Sequence, residues 1–188
     1  MAKNSIDGVV LITGAGGGIG QQAVYSFAEA GARAIALADI NERNSQKAAE
    51  TARQYATHPD FRTLIIEVDV ADAESVQKMI DVTVKEFRRI DYAVNGAGID
   101  HLSNEPFAEA SIEDFDRVMS VNTKGLMLCV RAEINAMLAQ ETRKITSRSG
   151  ERNIGRGVIL NVGSANSYYV TGTGIIIDAG VTLTVHMH

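Results

Sequence analysis

The chain has 188 residues, of which 45% are hydrophobic, and this predicts one domain, residues 1–188, with a substantial buried core. Its net charge of −5 argues against a surface for nucleic acid or anionic membranes, because such surfaces concentrate lysine and arginine. No apolar run approaches the length of a membrane span and residues 1–8 lack a signal-peptide pattern, so we expect a cytoplasmic protein whose partner is a small molecule.

The first predicted element is a strand, Val9 to Ile12, which runs into a glycine-rich turn and then a helix. The turn reads Thr13-Gly14-Ala15-Gly16-Gly17-Gly18-Ile19-Gly20, and Gly14, Gly18 and Gly20 fit a spaced pattern. Such a turn directs backbone N–H groups and the positive end of a helix dipole at one point, which suits a dinucleotide pyrophosphate. A flexible glycine loop is the alternative, whereas a P-loop is excluded because no Gly-Lys-Ser/Thr closes the turn.

The second predicted strand, Ala34 to Ala38, ends at Asp39, about twenty residues beyond the glycine turn. A carboxylate there can accept hydrogen bonds from both hydroxyls of an adenosine ribose and would repel a 2′-phosphate. This predicts NAD rather than NADP as cofactor, although Arg43 lies close enough in the sequence to reduce the repulsion. The alternative is that Asp39 caps the next helix.

The helices that alternate with the strands are predicted from apolar residues at helical spacing. Their expected inward faces are Ile19, Ala23, Phe27 and Ala30; Ala48, Ala49, Ala52 and Tyr55; Val76, Met79, Ile80, Thr83, Val84 and Phe87; and Met127, Val130, Ile134, Met137 and Leu138. Asp72 and Ser111 are predicted helix caps, and Cys129 a buried, inert thiol.

Two more strands bring polar residues to the same edge of the sheet. The third, Leu64 to Val70, places Asp69 and Val70 near its carboxyl end, where open α/β sheets bind ligands, and an adenine contact is expected. The fourth, Tyr92 to Val94, runs into Asn95-Gly96-Ala97-Gly98, which we expect to border the same cofactor.

The second half of the chain contributes Asn122 and Ser164. Asn122 interrupts an apolar stretch, and a buried Asn commonly satisfies backbone groups. Ser164 follows the fifth predicted strand, Val158 to Val162, but lacks the Gly-x-Ser-x-Gly sequence of a hydrolase nucleophile. The polar segment between them, Glu141 to Arg156, is predicted to be a solvated surface loop rather than a phosphate-binding patch.

In their order, the glycine turn, Asp39, the Asn95 loop, Asn122 and Ser164 resemble the short-chain dehydrogenase/reductase family over about residues 5 to 167. The resemblance implies a Rossmann-type, doubly wound parallel sheet in three α/β/α layers. It also implies that Ser164 hydrogen-bonds the substrate oxygen during hydride transfer, and that Asn122 holds a proton-relay water. Gly96 replaces an asparagine of the family pattern, which removes one side-chain amide.

The resemblance departs from the family pattern after residue 167. The family acid/base is a tyrosine followed four residues later by a lysine, but Tyr168 and Tyr169 are followed at that distance by Gly172 and Thr173. The stretch Tyr169 to Gly180 is instead similar to the family's final strand. This predicts an apparent internal deletion near 167–168 and a fold truncated near its carboxyl-terminal side.

Such a deletion has two structural consequences. Only about ten residues separate the end of the fifth strand from Ile175, which is short for a parallel crossover, so Ile175 to Ile177 should pair antiparallel to that strand or be displaced. The helix from Met127 to Leu138 should expose apolar surface, which favours either self-association, for example into a homo-oligomer, or poor solubility.

Two functions from different classes follow. The first is a short-chain NAD(P)-dependent oxidoreductase that transfers hydride between nicotinamide and an alcohol or carbonyl substrate. The alternative is a catalytically inactive NAD-binding or interaction module. No metal site is predicted, because the chain has no His/Cys ligand spacing apart from two histidines at residues 186 and 188.

Overall fold

The computed structural model describes residues 6–101, 109, 111–147, 150–153, 155–162 and 177–178. The predicted site residue Ser164 and the tyrosines at 168 and 169 lie outside the described residues, so the expectations placed on them stay predictions. All the other predicted site residues lie within the described part.

Strands and helices alternate along most of the chain, as the apolar periodicity predicts. The strands are β1 Val9–Thr13, β2 Ala34–Asp39, β3 Arg62–Glu67, β4 Tyr92–Asn95, β5 Lys144–Ser147, β6 Gly150–Asn153, β7 Val158–Asn161 and β8 Ile177–Asp178. The helices are α1 Gly18–Glu29, α2 Glu42–Tyr55, α3 Ala73–Phe87, α4 Ile112–Met119 and α5 Leu126–Ala139, with a π-helical turn, Ser120–Gly125, between α4 and α5.

Six strands form one sheet in the order β3-β2-β1-β4-β7-β8, and the first five are parallel. The strand order reverses between β1 and β4, and open α/β sheets bind ligands at the carboxyl side of such a reversal. The register aligns Thr13 of β1 with Asn95 of β4, and Asn95 with Asn161 of β7. The glycine turn and the Asn95 loop therefore leave the sheet side by side.

Helices cover both faces of the sheet. One buried cluster joins α1 and α2 to alternate strand residues such as Val10 and Ile12, and the other joins α3 and α5 to the intervening residues such as Leu11. Alternation of this kind follows from the two-residue period of a strand. The predicted three-layer, doubly wound α/β fold is thereby confirmed.

Two predicted helix faces are wrong in part: Ala23 and Phe27 of α1 and Val130, Ile134 and Met137 of α5 pack against the core, but other predicted members are exposed. Helix α1 buries Gly20, Val24 and Ala28, while Ile19 is 50% exposed. The small face lies inward because α1 must approach the glycine turn closely: a Cβ atom at Gly20 would lie 2.2 Å from the carbonyl oxygen of Gly14. Helix α5 buries a face that includes small and polar residues, and it leaves exposed two of the apolar residues expected inside. Its buried residues are Cys129, Ala132, Glu133 and Met137; Met127 and Leu138 are 52% and 56% exposed.

The segment from Glu141 to Arg156 is not only a loop, because β5 and β6 form an antiparallel hairpin within it. Strand β8 runs antiparallel to β7, with Ile177 opposite Ile159, as the short connection predicts. The exposed side chains of Met127 and Leu138 contradict the inward face predicted for α5, but they agree with the separate expectation that this helix carries exposed apolar surface.

A buried ionic cluster ties the amino ends of β1 and β4 together. Asp91, only 3% exposed, accepts hydrogen bonds from Val9 N at 2.8 Å and from Arg89 Nε at 2.7 Å. Arg143 Nη1 lies 3.4 Å from the same carboxylate. This cluster sits at the edge opposite the glycine turn and therefore has a structural role.

Candidate functional site

The glycine turn packs directly on the loop that follows β4. Gly14 has a positive φ of 70°, and a Cβ atom there would lie 2.6 Å from the carbonyl oxygen of Gly96 and 2.7 Å from the nitrogen of Ala97. Only glycine satisfies both the backbone conformation and this close approach. The two loops predicted to border the cofactor are thus in contact.

The first turn of α1 faces open space. Gly17 occupies the N-cap position in an extended conformation, no side chain caps the helix, and its first turn contains no acidic residue. Cβ atoms at Gly17 and Gly18 would meet nothing within 4 Å among the described residues. The first backbone N–H groups of a helix lack intrahelical acceptors, so this end is free to bind an anion. Ile19 adds an exposed apolar side chain beside it.

Asp39 links the carboxyl end of β2 to the glycine turn. Its Oδ2 accepts a hydrogen bond from Gly16 N at 2.8 Å, and its Oδ1 accepts one from Asn41 N at 2.8 Å. The helix cap of α2 is Asn41, whose side chain accepts from Asn44 N, so the alternative role of Asp39 as the cap is wrong. Each carboxylate oxygen has two lone-pair sites, and one remains on each oxygen for a further donor.

Three polar side chains stand at matched positions at the carboxyl ends of adjacent strands: Thr13, Asn95 and Asn161. Asn95 Nδ2 donates to Asn161 Oδ1 at 3.0 Å, and Thr13 Oγ1 donates to Asn95 Oδ1 at 3.5 Å. Thr13 Oγ1 also accepts from Ala97 N at 3.3 Å. The network therefore connects three strand ends with the loop beside the glycine turn.

Glu133 of α5 completes this network from the helix layer. Its Oε2 accepts the second Asn95 Nδ2 hydrogen at 2.9 Å, and its Oε1 has no hydrogen-bond partner among the described residues. The side chain is 0% exposed. Burial raises the pKa of the Glu133 carboxyl from its ordinary value of 4.5 to about 7, and the hydrogen bond from Asn95 opposes that increase.

Asn122 lies in the π-helical turn and holds the loop after Gly98. Its Oδ1 accepts from Ile99 N and its Nδ2 donates to Ile99 O, both at 2.9 Å. This is the backbone-satisfying role that a partly buried Asn commonly has. The same contacts bring the predicted relay residue next to the Asn95 loop.

Asp69 and Val70 lie two to three residues beyond the end of β3. Asp69 is exposed, and its Oδ1 accepts a hydrogen bond from Ala71 N at 2.9 Å. Val70 is buried against Gly125, where a Cβ atom would lie 2.9 Å from Val70 Cγ2. The β3 end is therefore packed against the π-helical turn that carries Asn122.

The carboxyl edge of the sheet thus brings together most of the predicted site residues. Asn161 and Glu133 also belong to this edge, although neither is among the site residues predicted from the sequence. Asn161 shares the end-of-strand position of Asn95, which is the signal that could have identified it. Glu133 is one helical turn from both Cys129 and Met137, a spacing that places it on the buried face of α5.

The described part of the chain contains no group of three or more His, Cys, Asp or Glu residues arranged to hold a metal ion. None of its helices is both long enough and apolar enough to span a membrane.

Comparisons with known proteins add the following. Residues 8–174 match the family described as short chain dehydrogenase. The short-chain dehydrogenase anuF of Penicillium roqueforti is 38% identical over 166 residues, which are 88% of this chain and 60% of that protein. The chain spans 56% to 62% of the length of four such curated relatives.

Two solved structures have a similar fold. The crystal structure of levodione reductase aligns with a TM-score of 0.69 at 28% identity, covering 85% of this chain and 58% of that one. The structure of NAD⁺-bound xylitol dehydrogenase aligns with a TM-score of 0.64 at 33% identity, covering 70% of this chain and 48% of that one.

Proposed function

The chain belongs to the short-chain dehydrogenase family, and from this premise we propose that it binds NAD in preference to NADP and takes part in hydride transfer to or from an alcohol or carbonyl substrate. The observation that carries the proposal is the uncapped amino end of α1, which opens at Gly17 and Gly18 beside the carboxylate of Asp39. Backbone donors for a pyrophosphate and acceptors for a ribose are thus adjacent in the sequence order that the family requires.

The residues present fit a dinucleotide. Backbone N–H groups at the start of α1 would hold the pyrophosphate, since a Cβ atom at Gly17 or Gly18 meets only open space. Asp69 and Val70 would border the adenine, and Asn95, Gly96, Ala97 and Gly98 the other half of the molecule. When bound, the nicotinamide ring supplies the site that accepts or gives the hydride.

The preference for NAD rests on charge. Asp39 keeps an acceptor site on each carboxylate oxygen, and the next residue, Ile40, is 70% exposed and apolar. Arg43 forms no ion pair within the described part of the chain, so the Asp39 charge is not neutralised there. A 2′-phosphate beside this carboxylate would be repelled, whereas two ribose hydroxyls would each gain an acceptor.

The proposed substrate chemistry rests on the family and on the position of Asn122. Asn122 would hold the relay water, and Ser164, beyond the described residues, would hydrogen-bond the substrate oxygen. Names of relatives such as levodione reductase and xylitol dehydrogenase agree with a substrate that alternates between carbonyl and alcohol. The chain spans about three fifths of the length of such relatives, so we propose hydride transfer by analogy with them.

The test is equilibrium binding of NADH and NADPH, followed by nicotinamide fluorescence, with wild type, Asp39→Ala and a control. We expect NADH to bind at least about tenfold more tightly than NADPH, and Asp39→Ala to reduce that ratio to about one. Asp81→Asn is the matched control, because it removes the same charge from α3, on the opposite face of the sheet from α1. Tighter binding of NADPH, or binding of neither, would contradict the proposal.

Turnover separates the enzyme from the inactive binding module. Reduction of NAD by a panel of alcohols, lost in Ser164→Ala, is the result expected of an oxidoreductase. Binding of NADH without turnover of any alcohol or carbonyl compound would favour the binding module instead.

A further inference from the structure

We propose that Glu133 is a positioning residue of the dinucleotide site: its carboxyl oxygen fixes the Asn95 amide and, through Asn95 and Thr13, the backbone of loop 96–98. The loop is part of the proposed dinucleotide site, so its relevance to cofactor binding rests on the proposed function. The positioning itself is a property of the chain without cofactor.

The first step is the orientation of the Asn95 amide. Both of its Nδ2 hydrogens are used, one by Glu133 Oε2 at 2.9 Å and one by Asn161 Oδ1 at 3.0 Å. Because both partners are oxygen acceptors, the Nδ2 side must point toward them and the Oδ1 side toward β1. Asn95 is 4% exposed, so the network rather than solvent sets this orientation.

The second step connects the orientation of the Asn95 amide to the backbone of loop 96–98. With Oδ1 directed at β1, the Thr13 hydroxyl donates its hydrogen to Asn95 and keeps its lone pairs for the Ala97 N–H. If the amide turned over, Asn95 would present donors to Thr13, and the hydroxyl hydrogen would lose its acceptor. Glu133 therefore stabilises the one arrangement in which the Ala97 N–H, the Thr13 hydroxyl and the Asn95 amide all have hydrogen-bond partners.

The third step is that this loop determines the shape of the proposed site. The carbonyl oxygen of Gly96 and the nitrogen of Ala97 are the atoms that a Cβ atom at Gly14 would approach most closely. Gly96 N also donates to the Thr13 carbonyl at 3.1 Å. A shift of loop 96–98 therefore displaces the wall against which the glycine turn packs.

The burial of Glu133 has no other evident benefit. A carboxyl with 0% exposure and one oxygen without a partner is unfavourable in a helix that could present an apolar residue there. Its pKa, raised mainly by burial, reflects this unfavourable environment. The contact with Asn95 is the one interaction in the described residues that uses the side chain's polarity.

The experiment is amide hydrogen exchange by NMR on the cofactor-free protein, with Glu133→Met and Glu133→Gln. Methionine keeps the approximate shape without an acceptor, whereas glutamine keeps an oxygen acceptor for Asn95. We expect Ala97 N–H to exchange about three- to tenfold faster in Glu133→Met and at nearly the wild-type rate in Glu133→Gln, as loss and rescue of one hydrogen bond imply.

Two further variants control for a purely structural effect. Cys129→Ala disturbs the same buried face of α5 one turn away and should leave the exchange of Ala97 relative to Leu11 of β1 unchanged. Thr13→Val removes the hydroxyl that accepts the Ala97 N–H, so it should by itself increase the exchange rate of that N–H. Adding Glu133→Met to Thr13→Val should then increase the rate little further. Equal acceleration of Leu11 and Ala97, or an unchanged Ala97 in both Glu133→Met and Thr13→Val, would overturn the positioning role.

NADH binding by the same variants provides the functional readout. We expect Glu133→Met to weaken NADH binding about three- to tenfold and Glu133→Gln to restore it. If the wild type binds no NADH, the proposed function fails while the exchange data still decide the positioning role. If the wild type binds NADH and Glu133→Met binds it equally well, the positioning role in the site is overturned and the proposed function stands.

Discussion

The buried carboxyl of Glu133 should make the folded protein less stable as the pH rises through neutrality. Its pKa is raised from 4.5 to about 7 in the folded state, chiefly by burial. Between these two values the folded state binds a proton that the unfolded state has released, so stability falls as pH increases. The neighbouring groups do not titrate in this range: Asn95 and Asn161 are neutral, and burial raises the pKa of the Cys129 thiol to about 12.

The magnitude follows from the size of the shift. From about pH 5 to about pH 8, the free energy of unfolding of the wild type should fall by about 2 to 3 kcal/mol relative to Glu133→Gln, which cannot titrate. Urea unfolding followed by far-UV circular dichroism at several pH values measures the difference. Asp81→Asn removes an exposed carboxylate from α3 and serves as the control for the loss of one acidic group.

Parallel stability profiles for wild type and Glu133→Gln would refute this reasoning. They would mean that Glu133 keeps an ordinary pKa in the folded state and is therefore solvated or paired with a cation. A divergence of the opposite sign would indicate a carboxylate stabilised in its charged form, which a 0% exposed side chain with one hydrogen bond from the Asn95 amide does not predict.

Three other predictions concern separate parts of the fold. Gly17→Asp should raise the free energy of unfolding by about 0.5 kcal/mol in urea titrations, because it caps α1, and yet abolish NADH binding by occupying the free N–H groups. Gly17→Ala adds a methyl group but no acceptor, so it should not stabilise the fold and should weaken NADH binding less than Gly17→Asp. Improved NADH binding by Gly17→Asp would contradict the pyrophosphate assignment. Asp91→Ala should lower the free energy of unfolding by about 3 kcal/mol, since it leaves Arg89 and Arg143 without their shared carboxylate. Asp91→Asn should lower the free energy of unfolding by less. A change within error of zero for Asp91→Ala would mean that the cluster is solvated. Cys129, 1% exposed with a pKa raised to about 12, should resist a thiol reagent in the native protein and react in urea, whereas rapid native labelling would show that α5 opens locally.

The sequence predicts the parallel core well because its signals are local. Apolar runs such as Val9 to Ile12 end at glycine or at a polar residue, and each strand end is marked by a change in composition within one or two positions. The glycine turn is predictable from its glycine spacing: Gly20 is required by its contact with the Gly14 backbone, and Gly14 by its positive φ and its contact with Gly96.

Helix orientation is less predictable, because it depends on what each helix must approach. Apolar size assigns Ile19 to the inner face of α1, but close packing at the turn requires Gly20 there instead. In α5, the buried face includes the small Ala132 and the acidic Glu133, so the size and hydrophobicity of the side chains do not identify it. Glu133 is missed because a carboxyl in a helix is ordinarily assigned to solvent.

The hairpin of β5 and β6 is missed for a different reason. Its two four-residue strands are polar and short, so they lack the alternating apolar pattern by which a strand is recognised. Antiparallel pairing of such strands depends on the backbone register of the finished hairpin. Composition alone therefore favours a loop over residues 141–156.

Glu133 is expected to order the carboxyl edge of the sheet but to lower the stability of the folded protein at high pH. The substitution Glu133→Met distinguishes these two effects. At about pH 8 the buried carboxyl is largely ionised, and an apolar residue of similar volume in such a place is commonly neutral or stabilising. Glu133→Met should therefore unfold at an equal or higher urea concentration than wild type at that pH while loop 96–98 exchanges faster. A variant that is both less stable and uniformly faster in exchange would contradict this separation. Global stability and local order changing in opposite directions is the behaviour expected of a group that orients a site at the expense of the core around it.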